Sequence, residues 1–297
     1  LAALGDGLVG VPWMDFVGSS LDDRRRARLF GLGNAAVGVT ILGLAPLAGY
    51  ILSDSGPAFP NNYALLFAVS GVLFLITVPI VIPIRELPGG KPVETVPPLS
   101  EYLPGLLRVL RQDVPFRAVV IARVLVALAT LATPFYIGFA TERLGVSSDV
   151  AVSRLLLMQT LGSVVGALAF SRLGDGRSLQ FMVGALLFAI AQPILALVAS
   201  VSGPIPLYAA FLMGGVALGS LGISFINWVI AYASPEQRPV YAGLFNSMSA
   251  VGLLVAPLIG GTLVEVIGYE AAFAAALACL GGALAVFLHQ RMPLQAA

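Results

Sequence analysis

Apolar residues run along this chain in blocks of about twenty, and the charges and prolines collect in the short segments between them. A bilayer core about 30 Å thick takes roughly 20 apolar residues as a helix. On that measure the sequence predicts eight full spans, at 29–52, 62–84, 116–140, 151–171, 179–200, 205–232, 240–264 and 270–289, with a partial span at 1–18. Gly, Ala and Leu occur throughout the blocks and no period-two alternation is seen, so helices are expected and barrel strands are not. The expected fold class is an all-α polytopic membrane protein.

One segment interrupts the rhythm. Residues 85–114 begin with Pro88, Gly89, Gly90, Lys91, Pro92, Pro97 and Pro98, which exclude a regular helix. They end in an apolar stripe, Leu103, Leu106, Leu107 and Leu110, with Arg108 and Arg111 elsewhere on the surface. This reads either as a short amphipathic helix on the inner membrane surface or as an extension of the next span. The expected organisation is a first bundle at 1–84, a linker at 85–114 and a second bundle at 115–297.

Charge sets the direction. With the loop at 19–28 in the cytoplasm, the inside segments hold Arg24, Arg25, Arg26, Arg28, Arg85, Lys91, Arg108, Arg111, Arg117, Arg123, Arg172, Arg177, Arg238 and Arg291. The outside segments hold only Arg143 and Arg154. That bias follows the positive-inside rule and places the C-terminus in the cytoplasm of a cell (plasma or inner) membrane protein. Trp13 and Trp228 fall near inner helix ends, as interfacial anchors do.

The chain also repeats itself. Arg26, Gly31, Leu32 and Asn34 recur as Arg238, Gly243, Leu244 and Asn246 at an offset of 212. Ala45, Pro46, Leu47 and Gly49 recur as Ala256, Pro257, Leu258 and Gly260 at 211. Gly7, Gly10 and Asp15 fall on Gly219, Gly222 and Asn227. A long-period repeat in so apolar a chain marks a transporter built from two related halves. The second copy follows four spans of its half, whereas the first follows only a partial one. By symmetry about three helices are expected upstream of residue 1, consistent with a first segment that lacks an initiator Met.

Composition narrows the classes. Hydrophobic residues are 58% and charged residues 10%, against roughly 25% charged in soluble domains. A net charge of +1 and no basic stripe argue against a nucleic-acid partner. One cysteine, Cys279, and one histidine, His289, leave no metal cluster, and Cys279 reads as packing. No phosphate-binding G-x-x-x-x-G-K-[ST] occurs, and neither His289 nor Cys279 has a catalytic partner, so no enzyme is expected.

Three motifs carry a resemblance. They are the basic start and glycine at Arg26–Gly31 and Arg238–Gly243, the A-P-L-x-G ends of the same helices, and FSRLGDGRSLQ at 170–180. The last resembles the hinge loop G-x-x-x-D-R-x-G-R-R of the major facilitator superfamily. Arg172, Gly174 and Arg177 fill its basic and glycine roles, while Ser171 stands at the acid and Ala167 at the first glycine. The resemblance covers the whole chain, taken as helices four to twelve of twelve. It implies two pseudo-symmetric six-helix bundles, of which three helices of the first and all six of the second are present here. It also implies a monomeric secondary transporter in the bilayer that binds a small molecule. The family's antiporters carry Gly-Pro and Gly-Gly in helix five. Ala45-Pro46 and Gly49-Tyr50 stand there, so the efflux reading gains little and close packing is favoured.

The polar residues inside the spans are the candidate chemistry. Asp6 lies nine residues inward of Asp15, about 13 Å along a helix and near mid-membrane. A carboxylate there costs about 2.5–3.5 kcal/mol and titrates upward, which suits a proton carrier; the alternative is a structural pair. Its repeat counterpart is Leu218, so it breaks the symmetry. Asp15, Arg26, Arg172, Gly174, Arg177 and Arg238 are candidates for cytoplasmic gating. Arg123 either snorkels to the inner interface or faces the cavity. Gln159, Tyr136 and Asn227 are cavity candidates, and Asn34 and Asn246 are expected to bond between helices. Thr130, Thr133 and Pro134 give helix seven a place to bend. Gly38, Gly43, Pro46, Gly49, Gly252, Pro257, Gly260 and Gly261 are expected to pack helices closely. Glu265 and Glu270 read as a solvated rim. The expected function is alternating-access transport of a small organic solute, coupled to a proton gradient with no other cofactor, efflux favoured. The alternatives are uptake of a neutral nutrient, or a non-transporting sensor of the same fold.

Overall fold

A computed structural model describes residues 13–14, 16–52, 56–82, 108–174, 178–235 and 237–289. Among these residues there is no strand, and eight helical stretches are long and apolar enough to cross a membrane. Helix α1 is Asp23–Leu52 and α2 is Asn61–Val81. The third span is broken into α3, Val114–Ala129, and α4, Phe135–Glu142. Helices α5, Ser148–Leu173, α6, Ser178–Ser202, and α7, Ile205–Tyr232, follow. Helices α8, Arg238–Val266, and α9, Tyr269–His289, complete the set. Each coincides with a block read from the sequence. In the linker only residues 108–114 are described: 108–112 are helical, and Asp113 caps the helix that begins at Val114.

Two ends can be told apart by chemistry. Arg26, Arg172 and Arg238 lie at one, the basic end. At the opposite, far end, α4–α5, α6–α7 and α8–α9 are joined by tight turns, each with one glycine at positive φ, Gly145, Gly203 and Gly268. Side chains rarely adopt that backbone, and a glycine there lets a helix stop and reverse. The up-and-down order of the second bundle follows.

Helices α3 to α9 enclose two apolar cores. One holds Phe116, Met182, Leu186, Phe225, Phe245 and Phe287 towards the basic end. The other holds Leu131, Tyr136, Phe139, Phe211 and Phe273 towards the far end. At the centre α5 and α7 cross backbone to backbone. A Cβ at Gly162 or Gly166 would overlap the carbonyl oxygens of Leu212 or Val216. One at Gly215 or Gly219 would overlap those of Gln159 or Ser163. Two G-x-x-x-G pairs therefore interlock, a close approach that drives helix association where lipid removes the hydrophobic incentive.

Asp113 pins the basic end of this bundle. Its carboxylate caps α3, accepting from the Phe116 N–H at 3.0 Å, and accepts the hydroxyls of Tyr232 at 2.8 Å and Tyr241 at 2.7 Å. The starts of α3 and α8 and the end of α7 are thereby tied to one side chain. Trp228 stacks on Tyr232 at 4.5 Å and is buried, so it is a core residue and not the interfacial anchor its position suggested. Trp13 is exposed.

Helix α1 joins the second bundle by leaning on α5 and α7. Ala27, Gly31, Ala35 and Gly38 form its small buried face. A Cβ at Gly31 would come within 2.6 Å of the Ala167 carbonyl oxygen, and one at Gly38 would strike Val164. Beyond Gly38 the helices part. Among the described residues nothing lies within 4 Å of a Cβ placed at Gly43 or Gly49. The two bundles touch at the basic half and diverge towards the far end.

A closed seam beneath a central cavity

The seam is built by the repeated arginines. Arg26 is 2% exposed, and its Nε donates to Asn227 Oδ1 at 2.6 Å, from the first bundle to α7. Its Nη1 reaches the Leu21 carbonyl at 3.5 Å. Arg238, its match 212 residues on, is buried too and presses towards the first bundle. A Cβ at Gly18 would lie 2.7 Å from Arg238 Nη1. Apolar contacts fill the space around them. Ala27 packs with Phe170 and Ile223, and Met14 with Ile230 and Ala242, while Phe30 touches both groups.

Asn227 belongs to this seam. The sequence grouped it with the cavity because it is a polar residue within a span, but its amide is consumed by a buried guanidinium near the basic end of α7. Of the other expected gating residues, Arg172 is exposed on the last turn of α5. Gly174 caps that helix, its N–H donating to the Phe170 carbonyl at 2.8 Å. Asp6, Asp15 and Arg177 lie outside the described residues.

Above the seam a cavity of about 400 Å³ opens between α3, α5, α6, α7, α8 and α9. Arg123, Gln159, Gln192, Thr130, Thr133 and Tyr136 supply much of its polarity. Three of the four cavity candidates from the sequence, Arg123, Gln159 and Tyr136, meet here. Arg123 does not snorkel. Its guanidinium lies over the rings of Phe225 and Phe245, 5.5 and 5.8 Å from their centroids. Its Nε donates to Ser249 Oγ at 3.3 Å. Tyr136 is stacked flat on Phe273 at 4.7 Å.

The break in the third span shapes this cavity. Thr130–Ala132 is a 3-10 turn, and Thr130 Oγ1 donates to the Ala127 carbonyl at 2.6 Å. Pro134 has no N–H to continue the ladder, so the helix restarts at Phe135. Gly260 accepts this break, since a Cβ there would overlap the Leu131 carbonyl oxygen. Gly252 meets Ala127 in the same way at 2.9 Å. Among the described residues Gly261 has no such neighbour, and close packing on α8 falls to Gly252 and Gly260. Pro46 and Pro257 sit inside α1 and α8, which run through them.

Three features were missed in the sequence. Gln192 carries its amide to the cavity across Gly214, where a Cβ would collide with it. The two G-x-x-x-G pairs at 162–166 and 215–219 were legible as spacing, and Asp113 before Val114-Pro115 was legible as a helix cap. Asn34 and Asn246, expected to bond between helices, make no such bond among the described residues: Asn34 is exposed and Asn246 half-buried. A larger groove of about 610 Å³ between α5 and α6 has no charged residue among the described residues of its lining.

Comparison with known proteins agrees with this architecture. A family model described as Major Facilitator Superfamily matches residues 141–296. A 61-residue stretch is 44% identical to the MFS-type transporter calB of Penicillium decumbens, covering 19% of this chain and 11% of that protein. The human organic anion transporter MFSD10 (TETRAN) superposes with a TM-score of 0.69 at 19% identity, over 92% of this chain and 66% of its own. A bacterial homologue of the iron transporter ferroportin, in its outward-facing state, gives 0.68 at 12% identity, over 97% and 70%. The chain thus spans about two thirds of the length of these structures and a small part of the fungal transporter.

Proposed function

The chain belongs to the major facilitator superfamily, and from that premise we propose that the protein is a secondary active transporter moving a small organic solute by alternating access. The observation that carries this reading is a largely apolar cavity with a few polar side chains, above a buried cross-bundle seam. A site reachable from one side at a time is what alternating access requires. The excess of arginines at the seam end orients it to the cytoplasm of a cell membrane. In that orientation the conformation is open outwards. Arg26 and Arg238 are its cytoplasmic gate, with Asn227 the acceptor that holds Arg26. The reciprocal step breaks this seam and closes the far halves of α1 and α5.

Proton coupling falls to Asp6. The sequence supports this reading: Asp6 is nine residues from Asp15, about 13 Å of helical rise. Proton entry in exchange for solute makes the direction efflux, by a monomer. The test is flux in proteoliposomes containing the full-length protein. An imposed pH gradient is expected to drive uptake of a solute from a panel of small organic acids and amides. Asp6→Asn is expected to stop that flux and spare solute exchange. Unchanged pH-driven flux in the variant removes Asp6 from the mechanism. Binding without movement of any bound solute replaces the transporter with a sensor.

A further inference from the structure

We propose that the cavity selects a small organic anion, an apolar or aromatic body with one carboxylate or sulfonate, and that Arg123 holds the acidic group. This rests on the cavity being the solute site, and it narrows the solute class. Arg123 is nine residues into α3, about 13 Å from its start and near mid-membrane. A guanidinium at that depth is costly and is usually paired with an opposite charge. Here no carboxylate among the described residues pairs with it. Ser249 offers a lone pair only, because its own hydroxyl donates to the Phe245 carbonyl at 2.7 Å. The faces of Phe225 and Phe245 attract the cation without neutralising it.

What remains, among the described residues, is a cation held in place without a counter-charge. Nε is used by Ser249, and the two Nη groups take no acceptor from the described residues and are not sealed away from the void. Two parallel N–H groups in a planar fork match two oxygens of one acidic group. The flanking rings fix the plane of the fork, so little side-chain freedom is lost on binding. Around it the described lining supplies only neutral polarity, from Gln159, Gln192, Thr130, Thr133 and Tyr136, and otherwise apolar surface such as Val126, Leu253 and Leu280. Among the described residues of the lining, one cation, no acid and a largely apolar wall form the complement of a monoanion on an apolar body. A volume of about 400 Å³ admits a fused two-ring compound.

The experiment is calorimetric binding to the full-length protein in detergent with three probes of one shape. They are naphthalene-2-carboxylate, its neutral amide and 2-naphthylmethylammonium. Wild type is expected to bind the carboxylate about tenfold or more tightly than the amide, and the amine weakest. Arg123→Gln is expected to erase the preference for the carboxylate by weakening carboxylate binding about tenfold more than amide binding, and Arg123→Lys to retain part of it. Equal binding of carboxylate and amide by wild type, or no binding of any probe, overturns the proposal. So does an equal loss for both probes in Arg123→Gln, which is the mark of a purely structural arginine. If that variant does not fold, wild-type selectivity and Arg123→Lys decide. Carboxylate-selective binding without flux upholds the anion site and overturns only the transport reading.

Discussion

Arg26 and Arg123 carry the same charge into the same membrane and are used in opposite ways. Arg26 is almost wholly enclosed, and an amide oxygen from the other bundle meets its Nε at 2.6 Å. Among the described residues Arg123 meets only its own bundle, a hydroxyl at 3.3 Å and two rings, and it lines the cavity. The difference teaches how to tell a fastener from a receptor. A buried charge satisfied across the seam ties two bodies together, whereas Arg123, oriented by weak neutral partners, is the one we propose receives the acidic group of a solute.

Substitutions can break that contrast at either pole. The largest effect is expected from Asn227→Leu, which deprives a buried guanidinium of a charge-assisted acceptor worth about 1.5–3 kcal/mol. That shifts the balance of open and closed states roughly tenfold to a hundredfold away from the closed seam. Spin labels at Leu47→Cys and Leu157→Cys, both on exposed positions of the far halves, in a Cys279→Ser background, read the shift as a shorter distance. Next comes a pair on one helix. Gly31→Val meets the Ala167 carbonyl and Ser171 and is expected to cost about 1–3 kcal/mol of the same state. Gly43→Val, where the helices have parted, is expected to leave the distance distribution unchanged. If the two glycines behave alike, the tapering of the interface is wrong. The smallest effect belongs to Ser249→Ala. Losing one neutral acceptor weakens the hold on Arg123 by about 1 kcal/mol. Carboxylate binding is expected to fall several-fold with the seam untouched in the spin-label distances.

The spans were legible because a bilayer demands length and apolarity, and both are local properties of the sequence. The block at 205–232 became Ile205–Tyr232, and 270–289 became Tyr269–His289. The repeat likewise found Arg26 and Arg238, since both copies keep a basic residue at the start of a helix. What it could not give is which face each copy presents. Gly31 and Gly243 are matched residues, yet only Gly31 has a neighbour that a Cβ would strike. Asn227 read as a cavity residue because depth in a span is visible in sequence, while rotation about the helix axis and the partner across a seam are not. Arg123 was ambiguous for the same reason: its reach permits both the interface and the cavity, and the rings of Phe225 and Phe245, more than a hundred residues away, decide.

The glycines where α5 crosses α7 have a consequence for how this protein can diverge. Helix α5 brings Ala167 to the seam and Gln159 to the cavity, while α7 brings Asn227 to the one and Gly214 to the other. Locked backbone to backbone at Gly162, Gly166, Gly215 and Gly219, these two helices have no slack between them. In the proposed transport cycle the two helices move as one body, so that a shift at the seam reaches the cavity. New solute preferences are therefore to be sought on α3 and α8, the helices that carry Arg123 and Ser249, where a side chain can change without retiming the engine.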